Sequence, residues 1–111
     1  MNTFIKVTTQ FEGLHFWPDA PKEVDFLKYK HRHIFIVTAK IEVQHLDREL
    51  EFFLVREYMT SLAPVNFDLG RLSCEEIAKH YLEGLQTKYG SRFYEVEVSE
   101  DGQNSAIVRV L

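Results

Sequence analysis

Three histidines in the first third of the chain have the residue type and spacing to hold a metal ion. His31 and His33 stand two apart in an alternating stretch. On a strand both imidazoles leave the same side, roughly 6 to 7 Å apart at the backbone, a workable bite for one ion. His15 joins them by parity. A strand starting at Phe4 carries Ile5, Val7, Thr9 and Phe11 on one face, and continuing the alternation puts Gly13 and His15 there too. Three neutral imidazoles with one open position are the donor set of a catalytic zinc site, because the open position admits water or substrate. Structural zinc sites more often include thiolates, and no cysteine lies nearby. The competing reading is a solvated basic patch, since Lys28, Lys30 and Arg32 surround a motif that is short in itself. Parity favours the metal: all three histidines fall on faces otherwise built from Val, Phe and Ile, where an unpaired imidazole is costly. His45 and His80 have no such company and read as surface residues.

Glu100 is the second singular residue. Tyr94, Val96 and Val98 form an apolar face, and Glu100 continues their parity. A carboxylate ending an apolar row needs a partner, and a heterocycle with adjacent N–H donors would supply one. The alternative is that the strand has already ended and Glu100 is a turn residue beside Asp101. Glu51 and Asp68 stand near element ends with nothing to single them out. Cys74 sits at a helix start, where a thiol pKa can fall, but an inert small residue is the simpler reading. Phe16 and Trp17 follow His15 and either wall a pocket or simply pack.

The elements that must position these groups follow from periodicity. Phe4 to Phe11 reads as a strand running on toward His15, and His31 to Gln44 as a second, longer one. The Phe16–Lys30 connection, with Pro18 and Pro21, is long for a hairpin, and such connections often carry sites. His45 to Arg48 looks like a turn, Glu49 to Phe53 like a short return strand, and Leu54 to Leu62 like a helix. Ala63 to Leu72 is a loop. Ser73-Cys74-Glu75-Glu76 has the form of a capping box, opening a helix with Ile77, Ala78, Tyr81, Leu82 and Leu85 on one stripe and Gly90 as its stop. Phe93–Ser99 and Ser105–Leu111 are two more strands joined through Asp101-Gly102. The expected class is α+β, β-β-α-α-β-β, with a four-stranded antiparallel sheet and both helices on one face. Ile34 and Ile36 give the other face apolar character too, which suggests cover from another subunit and hence an oligomer.

The bulk composition is consistent with this. The chain has 111 residues, 45% apolar and 14% aromatic, enough for one domain spanning 1–111 with its own core. A net charge of −4, scattered, argues against a nucleic-acid partner, which would need a basic stripe. Cys74 is the single cysteine, so no intramolecular disulfide forms and a reducing, cytoplasmic compartment is expected. No basic start with an apolar run marks a signal peptide, and no apolar stretch approaches the roughly 20 residues of a membrane span.

With those residues in view, the chain resembles the family of 6-pyruvoyl-tetrahydropterin and 6-carboxy-tetrahydropterin synthases. Phe11-Glu12-Gly13-Leu14-His15, followed by His31-Arg32-His33 opening a long strand, is similar to the family's zinc ligands. Ser73-Cys74-Glu75-Glu76-Ile77-Ala78 resembles its second-helix start. Val96-Glu97-Val98-Ser99-Glu100 resembles the strand whose final glutamate anchors the pterin ring. The resemblance covers nearly the whole chain and implies the tunnelling fold, whose subunits assemble through their sheets into barrels, as a trimer or hexamer. It further implies zinc bound by His15, His31 and His33, a pterin or purine-like nucleotide held by Glu100, and a lyase acting on dihydroneopterin triphosphate. In the family, zinc polarises the substrate side chain, a reactive cysteine shuttles protons and an aspartate–histidine pair assists.

Three departures matter. Phe26 to Lys30 contains no cysteine, Arg32 replaces the family's middle glycine, and no histidine between His45 and His80 matches the aspartate–histidine pair. Tyr29 and Asp25 are weak substitutes as proton carriers. Three functions therefore stand side by side: a divergent synthase, a protein that binds or sequesters such a ligand without turning it over, and an oligomer whose zinc is structural.

Overall fold

The computed structural model describes residues 1–111, the side chain of Val65 excepted. Two long strands dominate. β1 (Thr3–His15) and β2 (His31–Val43) pair antiparallel without interruption from Thr3 opposite Val43 to His15 opposite His31. β3 (Tyr94–Glu100) pairs with β2 from Ile41 opposite Tyr94 to Phe35 opposite Glu100, and β4 (Asn104–Val110) completes a sheet of order β1-β2-β3-β4. Alternation decides the faces. Val7, Phe11, Phe35, Val37, Ala39, Ile41, Val96 and Val98 are buried on one side. They pack beneath α1 (Phe52–Ser61) and α2 (Cys74–Tyr89), which contribute Val55, Met59, Ile77, Tyr81 and Leu85 to the same core. On the other face Ile34 and Ile107 remain 44% and 53% exposed.

The expected α+β order is present, with both helices on one face, and its α2 start is as read: Ser73 and Glu76 form a reciprocal capping box. The expected return strand over Glu49 to Phe53 does not form. β2 is flanked by β1 and β3, so a strand hairpinned to it would find no free edge. Glu51 instead caps α1, its carboxylate accepting from the backbone N–H groups of Phe53 and Leu54 at 2.9 and 3.2 Å. The long connection between β1 and β2 also holds structure of its own, a 3-10 segment at Lys22–Lys28 pinned by Trp17 N–H donating to the Leu27 carbonyl at 2.7 Å.

Two local arrangements prepare a site. β2 starts four residues beyond its last pairing with β3, so His31 and His33 extend past the end of β3. Residues 68–72 run beside the end of β1: Leu69 N–H donates to the Leu14 carbonyl at 2.8 Å, and Phe16 N–H donates to the Gly70 carbonyl at 2.9 Å. Gly13 makes room beneath them, since a Cβ there would lie 3.0 to 3.2 Å from Leu69, Phe11 and Phe35. No helix is long and apolar enough to cross a membrane among the described residues.

Candidate metal centre and adjoining cleft

Register brings the three histidines together. His15 and His31 are cross-strand partners, and His33 follows two residues along β2. Their ring centroids lie 4.5 to 5.4 Å apart, and one ligating atom from each falls within 4.8 Å of the others. His15 is 8% exposed and the other two are half-buried.

Each ring is oriented by an acceptor at Nδ1. His15 Nδ1–H donates to the Leu72 carbonyl at 3.0 Å, His31 Nδ1–H to the Tyr29 carbonyl at 2.8 Å, and His33 Nδ1–H to Asp101 Oδ2 at 2.7 Å. An acceptor at Nδ1 fixes the proton there in a neutral imidazole and leaves a lone pair at Nε2. The same outer partners recur behind metal-bound histidines, where they hold the ring and raise its basicity. Burial holds His15 below the ordinary imidazole range, with repulsion from His31 and His33 acting the same way and the Leu72 carbonyl and Glu100 opposing. The neutral form that a metal requires is therefore favoured. His15 Nε2 is buried and makes no hydrogen bond. A metal ion fits this donor set: nitrogen donors suited to zinc, lone pairs converging, tautomers preset.

Glu100 is the last residue of β3, so the parity reading of the strand is the one the structure bears out. Its Oε2 lies 3.1 Å from His15 Nε2 and 3.6 Å from His33 Nε2. The short distance to His15 is not a hydrogen bond, because the His15 proton is engaged on the far side of the ring. Glu100, His15 and His31 also line an open cleft of about 660 Å³ with Phe16, Trp17 and Cys74. Phe16 and Trp17 thus wall a pocket. Cys74 faces Glu100, and burial, reinforced by Glu100 and Glu75, pushes its thiol up to about 12. A thiol held so high carries little thiolate near neutral pH, although it stands in the cleft.

Asp101 is the residue that sequence reasoning passed over as a turn. It adopts φ 57°, which aspartate tolerates, and folds its carboxylate back onto β2, accepting from His33 and, at 2.8 Å, from the Ile34 backbone N–H. Those two donors hold its carboxyl below the usual range. The Asp-Gly pair signals the turn, but only the pairing of Phe35 with Glu100 places position 101 beside Ile34, within side-chain reach of His33. Other sequence candidates stay apart. Glu51 caps α1, Asp68 binds Lys30 and the Gly70 N–H, and Tyr29 and Asp25 have exposed side chains. His45 and His80 are exposed, as expected.

No protein-family model matches the sequence, and no curated protein matches it. The architecture is nevertheless that of a known class: the chain has the fold of the 6-pyruvoyl tetrahydropterin synthases. It is similar to the Plasmodium vivax 6-pyruvoyltetrahydropterin synthase, solved with alanine in place of a catalytic glutamate, at TM-score 0.74 and 17% identity over 99% of this chain and 98% of that one. The Caenorhabditis elegans 6-pyruvoyl tetrahydropterin synthase aligns over 100% of this chain and 97% of its own at TM-score 0.70 and 12% identity. An apo archaeosine synthase of the QueF-like type aligns more loosely, at TM-score 0.53 and 14% identity, over 94% and 91%. One fold thus serves different reactions, and function must be argued from the site.

Proposed function

We propose that the protein is a divergent member of the tetrahydropterin synthase family that holds zinc on His15, His31 and His33 beside Glu100, and acts on a pterin or purine-derived nucleotide of the dihydroneopterin triphosphate type. The observation that carries this reading is the convergence of three imidazoles with their Nδ1 protons turned outward, at the mouth of a cleft walled by Phe16 and Trp17. Bound zinc would supply Lewis-acid polarisation of a substrate oxygen. The chain's own groups divide the remaining work. Leu72, Tyr29 and Asp101 hold the rings, Glu100 offers two acceptor oxygens to adjacent ring N–H groups, and the aromatic pair stacks or shields the ring. The exposed apolar face around Ile34 and Ile107 supports assembly with copies of the same chain, as a trimer or hexamer.

Whether the reaction is completed depends on a proton carrier. Cys74 does not supply a thiolate at neutral pH, and no cysteine precedes His31. This favours retention of a ligand without turnover as the second reading. The catalytic glutamate of the Plasmodium vivax neighbour keeps lyase activity open, because a carboxylate serves catalysis on this fold. Incubating zinc-loaded protein with dihydroneopterin triphosphate separates the two: triphosphate release supports the lyase, and saturable binding without release supports the receptor. Neither release nor binding, with the oligomer lost on chelation, would leave zinc as a structural ion. Absence of stoichiometric metal in protein purified without chelators would refute the shared premise.

A further inference from the structure

We propose that Glu100 is itself a metal ligand, closing the three-histidine centre as its fourth donor when the cleft is empty, so that anything reaching the metal must first displace it. The proposal rests on the metal reading above and goes beyond it, because that reading leaves the fourth position open and assigns Glu100 to a ring.

The argument is one of lone pairs and distances. The Nδ1 protons of His15 and His33 are committed to Leu72 and Asp101, so both Nε2 atoms present lone pairs. Glu100 Oε2, an acceptor when ionised, sits 3.1 and 3.6 Å from them. Acceptors facing one another so closely repel unless a positive charge lies between. Among the described residues no lysine or arginine is paired with Glu100, and the Cys74 thiol that faces it is a weak donor. The spacing fits a shared cation. A tetrahedral shell with metal–nitrogen and metal–oxygen bonds of about 2.0 to 2.2 Å has ligand–ligand edges of roughly 3.4 Å, which the two observed separations bracket. Position allows it too. Glu100 ends β3 opposite Phe35, on the face from which His33, two residues along β2, also projects, while the adjacent Asp101 is already turned back to grip His33. Consecutive carboxylates thus address one imidazole from its two sides.

Cobalt(II), which reports its coordination in visible absorption, tests this directly. Wild-type protein, Glu100→Gln and Glu100→Ala would be titrated with cobalt(II) and with zinc(II), and azide would then be added as a small anionic probe of an open position. The glutamine variant preserves side-chain volume should alanine fail to fold. The expected result is a 10-fold or greater loss of metal affinity in either variant, of the order seen for lost site contacts. A changed cobalt spectrum and azide binding at least ~10-fold tighter than in wild type should accompany it. Variants that match wild type in affinity, spectrum and azide response would overturn the closing role while leaving the three-histidine metal reading intact. Wild-type protein that takes up neither cobalt nor zinc would overturn both.

Discussion

The carboxylate of Asp101 grips His33 through Nδ1 at 2.7 Å while its other oxygen accepts from the backbone of Ile34 at 2.8 Å, so one side chain fixes both the ring and the strand that carries it. Truncation should therefore loosen both the ring and the start of β2, and weaken metal binding. Asp101→Ala is expected to lower zinc affinity about 10- to 100-fold, with Asp101→Asn intermediate because an amide oxygen still accepts from one of the two donors. Competition titration against a chromogenic chelator measures this. Equal affinities across the three proteins would contradict it.

Cys74 gives a second, chemical test. With its thiol pushed up to about 12, alkylation in the native protein at pH 8 should run at least about 100-fold slower than in urea, where the thiol returns to an ordinary pKa. Rates of iodoacetamide labelling read by mass spectrometry decide the matter. Native labelling as fast as in urea would show that the cleft does not suppress the thiolate.

The acid limb of stability follows from His15. Its folded pKa lies below the ordinary 6.5, so as pH falls the unfolded chain binds this proton first. Its contribution is whole above about pH 7 and is lost as pH drops through 6.5 toward the folded value. Asp101 has a depressed carboxyl, and its contribution persists to lower pH, being lost only as pH falls below the ordinary 3.8. Metal-free protein should show a falling urea midpoint between pH 7 and pH 5.5, reduced in slope by His15→Gln. A flat midpoint in this window would count against a buried neutral imidazole.

Packing under the site is tight at Gly13. A Cβ there meets side-chain atoms of Leu69, Phe11 and Phe35 at 3.0 to 3.2 Å, so Gly13→Ala should cost about 1 to 3 kcal/mol by overpacking. It should also weaken metal binding, because Leu69 belongs to the segment that ends at the acceptor for His15. Denaturant melts with and without zinc test both parts.

Tyr81 offers the opposite case. Its hydroxyl is buried without a hydrogen-bond partner, and burial raises its pKa. Tyr81→Phe should leave stability unchanged or raise it by about 1 kcal/mol, since an unsatisfied buried hydroxyl is removed. A clear loss of stability would reveal a partner for that oxygen.

Much of this was readable from the residues alone where a short-range rule governed. Alternation in β1 and β2 placed His15, His31 and His33 on one face, and Ser73 with Glu76 marked the start of α2 by a local pairing. What escaped was set by long-range topology. The return strand at Glu49 to Phe53 looked sound locally and fails because β2 has no free edge. Asp101 is the turn residue its sequence marks, but its grip on His33, 68 positions away, leaves no local trace. The approach of Cys74 to Glu100 likewise depends on how α2 docks on the sheet, which no periodicity encodes.

The three Nδ1 acceptors have one more consequence. Tyr29, Leu72 and Asp101 come from separate parts of the chain, before β2, before α2 and after β3. A β1–β2 hairpin formed early in folding would align all three imidazoles but leave two of them, His15 and His33, free to rotate and to choose either tautomer. Tight metal capture would therefore wait until the helices and the second hairpin have docked. A metal held at this centre would act as a check on completed folding: a chain that stalls partway would hold the ligands yet not the ion, and the ion would stabilise only the copies that have finished.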